Sequence, residues 1–337
     1  MKKHLKKMIL ITSLALVLTA CQADQENLSS TEENTETEIQ SEEKINVGEE
    51  FEKLVSNEGE IEEIKDFVDS NIKNADKEIA DKMVHYLIDK QNENLIEESK
   101  YFYNEDSRKI YDEVMKVYEN MKEEFGENYV FAGENKYLLV DNMENEEISS
   151  HIKEIFDKGY GLITAEATFY PIIDYKIMKQ NYGASVGDMT AEYFNIMANE
   201  IDEPTLVEEY LAVEVSKLKD RTFKYEEFLK KYPDSVFIDE IKMRYMECIW
   251  KLVNPNIFDG TLDQKFQVID ELKEVYKNIL SDDSHPVTVE AVKGITEFIE
   301  SKNGPLGSQD NMNAIFEVSD KLRKETENKI DELYLGE

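Results

Sequence analysis

The sequence predicts a mainly α-helical protein, an irregular array of antiparallel helical hairpins with one small β-hairpin. Three observations carry this expectation. Apolar residues recur at spacings of three and four through most of the chain beyond Phe51. Proline, glycine and asparagine interrupt those stripes at no fixed period, which disfavours a regular solenoid. Only one stretch reads as a pair of strands. At 337 residues there is room for one large or two ordinary domains. The formal net charge of −35 leaves no basic stripe to displace counterions from phosphates, so no nucleic acid is expected as a partner.

The first segment is an address. Lys2, Lys3, Lys6 and Lys7 precede an apolar run from Met8 to Leu18, about half the ~20 residues that a spanning helix needs, so the run has the form of a secretory signal. Its end, Leu18-Thr19-Ala20-Cys21, resembles the lipobox of bacterial lipoproteins. That resemblance implies cleavage before Cys21, acylation of the Cys21 thiol, and a location on the extracytoplasmic face of the cell membrane, held there through the N-terminal lipid. Removing residues 1–20 takes four lysines and no acid, so the charge of −35 becomes −39. A chain of that charge is repelled by an anionic bilayer, and the lipid would have to do the holding.

Residues 21–47 carry Asp24, Glu26, Glu32, Glu33, Glu36, Glu38, Glu42 and Glu43 against one nearby base, Lys44, with no apolar period. Such a segment buries too little to offset the entropy of ordering, and it is expected to be a disordered acidic tether. A helical domain is expected over 48–337, with a possible subdivision near Glu203-Pro204.

Within it, Phe51, Leu54 and Val55 share a face, as do Ile61, Ile64, Val68 and Ile72, and a short helix is expected around Ile79 to Ile88. Ile110, Val114, Val117, Met121 and Phe125 form one stripe that Gly126 should close. Tyr129-Val130-Phe131-Ala132 and Tyr137-Leu138-Leu139-Val140 flank a glycine-containing connection and predict the β-hairpin. A helix with Ile148, Ile152, Ile155 and Phe156 follows, then the aromatic stretch Gly159 to Tyr175, in which Pro171 suits a helix start or a kink. Asp188 should cap a helix reaching about Ile201. Further helices are expected over about 205–231, 236–252, 262–280, 286–301 and 311–333.

Phe223 to Ser235, with the helix after it, resembles the junction of two tetratricopeptide-type units over about 30 residues. The shared grammar is a helix closed by Tyr232-Pro233, with Asp234 or Ser235 available to cap the next one.

Candidate chemistry is sparse. His85, His151 and His285 lie in separate segments without zinc-ligand spacing, and Cys248 sits in an apolar helical run as a small hydrophobe. The loop from Asn254 to Asp263 lacks the glycine that an EF-hand turn needs, and phosphate-cradling and nucleophile-elbow motifs are absent. No cofactor or metal is expected. The candidate ligand-binding residues are Tyr160, Glu166, Phe169, Tyr170, Asp174 and Tyr175, where acids sit among aromatics. The resulting expectation is a non-enzymatic, lipid-anchored binding or scaffold protein of the bacterial envelope, taking a peptide, a protein or an envelope polymer. Two alternatives are a glycan- or peptidoglycan-acting enzyme using Glu166 and Asp174 as paired carboxylates, and a solute-binding lipoprotein of a transporter.

Overall fold

Helices cover most of the computed structural model, which describes residues 47–126, 129–165, 167–302 and 305–336. The signal segment, Cys21 and the tether up to residue 46 lie outside the described residues, as does Glu166. The chain is mainly α, an irregular array of helical hairpins with one small three-stranded sheet and a two-stranded hairpin. No helix among the described residues is long and apolar enough to cross a membrane.

The N-terminal part runs α1 (47–56), α2 (Ile61–Asn71), α3 (Lys77–Ser99), a single 3-10 turn (Lys100–Tyr103), α4 (Ser107–Asn120) and α5 (Lys122–Phe125). The side chain of Asp76 accepts from the Ile79 amide at 3.0 Å and starts α3, a cap of the kind that contributes about 1 kcal/mol. The helix expected around Ile79 to Ile88 is thus 23 residues long. The stripe from Ile110 to Phe125 is broken at Met121 (φ −129°), so two helices replace one.

β1 (Val130–Phe131) leads into α6 (Lys136–Asp141), α7 (Glu146–Asp157), β2 (Tyr160–Ala165) and β3 (Thr168–Ile173). The expected hairpin is corrected here. Its first arm is a strand, but Tyr137 to Val140 lie in helix α6, and the partner of β1 is β2, with Val130 opposite Ile163 and Phe131 opposite Leu162. A run of four apolar residues does not distinguish helix from strand by period, and the tertiary setting decided it. The tight hairpin is β2–β3, in register from Tyr160 opposite Ile173 to Ala165 opposite Thr168.

Pro171 therefore neither starts nor kinks a helix; it sits in β3, at the edge of the order β1-β2-β3. The Asp174 amide donates to the Gly159 carbonyl at 3.1 Å, so the alternation of an antiparallel ladder turns the nitrogen of Pro171 outward, where no donor is needed. Gly161 allows the first strand to approach: a Cβ there would lie 2.7 Å from the Phe131 carbonyl oxygen.

The C-terminal part comprises α8 (Tyr175–Tyr182), α9 (Asp188–Asp202), a second hairpin of β4 (Leu206–Val207) and β5 (Tyr210–Leu211), then α10 (Val215–Lys231), α11 (Ile238–Val253), α12 (Asp270–Leu280), α13 (Pro286–Ser301) and α14 (Gln309–Ile330). The helices expected from 205 and from 262 begin later, because β4–β5 and a turn bridging Leu262 to Val268 occupy their first residues. α10 pairs with α11, α12 with α13, and α13 with α14, while α14 packs back on α11.

One helix start in this array is capped from a distance. His285, at the N-cap of α13, gives it no side-chain cap. Glu226 of α10, 1% exposed, accepts instead from the amides of Val287 at 3.1 Å and Thr288 at 3.0 Å and from the Tyr334 hydroxyl at 2.9 Å. A carboxylate at the positive end of the helix replaces the missing local cap. A single hydrophobic core runs from Val47 to Ile330, passing Glu203-Pro204 without a break.

Candidate functional site

The two faces of the three-stranded sheet differ in burial but not in chemistry. Phe131, Tyr160, Leu162, Phe169, Pro171 and Ile173 point into the core. Strand alternation puts Val130, Ile163, Tyr170 and Ile172 on the other side, where each is only partly buried. A solvated sheet face ordinarily carries polar side chains. Here it is branched and aromatic.

This face opens into a groove of about 780 Å³. α3 supplies one wall, with His85, Asp89 and Asn92; the end of α9 and the strand Leu206 supply the far end; and α11 with the residues just before it supplies the opposite wall. Val236 stands on that wall 67% exposed. A second depression of about 830 Å³ lies on the other flank of α11, against α14, and shares Leu206, Glu209, Asp239 and Glu247 with the first. Its apolar part is Met243, Trp250 and Phe316, the last two meeting edge to face at 5.5 Å.

The base of the first groove is rigid. Tyr193 stacks on Phe237 with ring centres 3.7 Å apart, His85 meets Phe237 edge-on at 4.9 Å, and the hydroxyls of Tyr175 and Tyr193 lie 3.0 Å apart. Burial pushes the Tyr175 hydroxyl up to about 12, so it stays protonated. Burial likewise lowers the His85 imidazole, which Asp81 and Asp89 only partly offset, and its Nε2 lies 2.9 Å from the Thr190 hydroxyl.

The β4–β5 hairpin closes the rim. Val207 pairs with Tyr210 across a two-residue turn, and both turn residues, Glu208 (φ 49°) and Glu209 (φ 68°), are left-handed. Such turns favour Asn-Gly, and each non-glycine residue there costs about 1–2 kcal/mol. The strain is held in place from α11. The Lys251 ammonium donates to the Glu209 carbonyl at 2.5 Å and to Asp259 at 2.9 Å, while Asp259 accepts from the Leu211 amide at 2.8 Å.

The electrostatics of the groove are one-sided. Arg244 is tied to Glu240 at 2.7 Å, and Glu200 is taken up by Arg221 at 2.7 Å, by the Tyr225 hydroxyl and by Thr205. Among the described residues, Asp89, Glu209, Asp239 and Glu247 line the groove with exposed side chains and no cationic partner. Desolvation raises the Glu247 carboxyl; the charges of Arg244 and Lys251 oppose this, and those of Glu240 and Glu200 reinforce it.

The candidate residues of the aromatic stretch are divided by the fold. Tyr160 and Phe169 are core side chains at 0% and 1% exposure, which leaves a ligand no surface on them. Asp174 is fully buried and engaged: Oδ2 accepts from the Lys136 ammonium at 2.9 Å and the Gly133 amide at 2.8 Å, and Oδ1 from the Ile177 amide at 3.2 Å. A carboxylate so committed is a poor acid or nucleophile, and this weakens the paired-carboxylate alternative; Glu166 lies outside the described residues. Tyr175 lines the groove base, and Tyr170 shares the open sheet face, packed against Tyr103 at 5.4 Å between ring centres. Val130, Ile163 and the exposed face of α11 were not legible as a site in the sequence, because the strands 160–165 and 168–173 are apolar on both faces and carry no alternation to mark the open one.

Cys248 is buried and its thiol is pushed up by desolvation, consistent with a packing residue. No cluster of three or more potential metal ligands occurs among the described residues. No family model, curated protein or solved structure matches this chain.

Proposed function

We propose that this chain is a lipid-anchored, extracytoplasmic binding or scaffold protein of the bacterial envelope that works without catalysis, taking an extended polypeptide into the groove between α3 and α11. The observation that carries the groove reading is the apolar outer face of the sheet. Val130, Ile163 and Ile172 are branched residues, each partly buried, at the floor of a concavity, where covering what remains exposed of them with a partner removes apolar area from water at about 25 cal/mol per Å². The lipobox-like ending at Cys21 supports the location.

Two experiments test the parts separately. Cys21→Ser should release the protein from the membrane fraction; a variant that stays membrane-bound removes the anchor. A photocrosslinking residue at Val236, on the groove wall, should give one discrete adduct in intact cells. That adduct should disappear in the double variant Ile163→Asn/Ile172→Asn, whereas labelling at Glu271, on the exposed side of α12, should give none. Equal labelling at both positions, or turnover of glycan or peptide by the purified chain, would overturn the binding reading.

A further inference from the structure

The unpaired carboxylates say which polypeptide the groove takes. We propose that the occupant is a basic segment of a partner protein, with lysine or arginine alternating with apolar residues, lying along α11; this rests on the groove reading above. The apolar floor asks for side chains like those of Ile163 and Ile172, and the rim asks for positive charge. Asp89 stands on the α3 wall and Asp239 and Glu247 on the α11 wall, so a segment between them meets acids on both sides while its alternate residues face the sheet.

Other occupants fit less well. The chain's own residues 21–47 and a second copy of this protein both carry the same sign as the rim. An anionic polymer or phospholipid headgroup would meet four carboxylates with no free base opposite them among the described residues.

The two depressions give the segment a direction to follow. Glu247 faces both, and from Asp239 to Trp250 the helix advances roughly 16 Å at 1.5 Å per residue, a distance that about five extended residues cover. One turn past Asp239 stands Met243, 49% exposed, and at the Trp250 end Phe316, 58% exposed, continues the apolar character, while the nearby bases are internally matched: Lys242 bonds Asp331 at 2.6 Å and Arg323 faces Asp320 at 3.6 Å. A basic run followed by a large apolar or aromatic residue would match the sequence of environments.

The test uses the full chain in detergent and three fluorescent peptides of about eight residues, alternating leucine with lysine, serine or glutamate. The leucine–lysine peptide should bind most tightly, and binding should weaken by about ten-fold or more when salt is raised from about 0.05 to 0.5 M, since the rim acids are solvent-exposed. Asp239→Lys/Glu247→Lys should weaken it by at least about ten-fold, and Asp89→Lys, on the opposite wall, should do so independently. Glu271→Lys/Glu300→Lys makes the same charge change away from the groove and should alter binding by less than about two-fold. An equal loss in that control would reduce the effect to bulk charge and overturn the proposal. Serine or glutamate peptides binding as tightly as the lysine peptide would overturn the charge selectivity while leaving the groove reading in place. Failure of all three peptides to bind would take both down together.

Discussion

The Lys136 ammonium lies 2.9 Å from the Asp174 carboxylate, with the two side chains 1% and 0% exposed. The same nitrogen donates to the Tyr160 carbonyl at 2.7 Å, and Asp174 also caps α8, so one buried pair ties α6, β2 and α8 together. Burial lowers the Lys136 pKa, and the charge of and hydrogen bond to Asp174 oppose that. Lys136→Met should cost about 3–5 kcal/mol, because it strands a buried carboxylate. The double variant Lys136→Met/Asp174→Asn should cost less than the sum of the two singles by urea denaturation; strict additivity would mean that the two groups act independently.

Glu226 and Thr288 make the second cross-helix relationship to test. Glu226→Ala leaves the amides of Val287 and Thr288 and the hydroxyl of Tyr334 without their acceptor in a buried setting. A loss of about 3–5 kcal/mol is expected. Hydrogen exchange should show it first at the start of α13. Unchanged protection at Val287 and Thr288 would show that the cap is dispensable.

The turn Glu208-Glu209 should respond in the opposite direction. Replacing it by Asn-Gly relieves two left-handed glutamates and should raise stability by about 1–2 kcal/mol. Because Glu209 belongs to the groove rim, the same change should weaken binding of a basic peptide. A stabilised variant with undiminished binding would exclude the Glu209 carboxylate from the binding rim.

His85 supplies a pH dependence with a definite sign. Its folded pKa lies below the ordinary 6.5, so the unfolded chain binds the proton first as the pH falls. The stability this histidine contributes is complete above 6.5, is lost as the pH drops from there toward the folded value, and levels off below it. His85→Gln should flatten the part of a urea-midpoint profile that begins as the pH falls through 6.5, while the carboxylates continue to act at lower pH. An identical slope in the variant would exclude His85 as the source.

The sequence by itself determined the helical character of this chain and the identity of most core stripes, since both are written in local periodicity. Ile110, Val114 and Val117, or Ile148, Ile152 and Ile155, sit on one face of any helix formed there, and the structure buries them. What the tertiary structure alone decided was pairing. Tyr137 to Val140 could have been a strand, but β2 took the place beside β1, and the apolar run became helix α6 over a buried lysine. The same choice moved the candidate site. Tyr160 and Phe169 went into the core, while Ile163 and Ile172, on the opposite face, stayed partly exposed and line a groove together with residues of α11 more than 60 positions later in the chain. A period of two says which residues share a face, but only packing against distant elements says which face is left open to solvent.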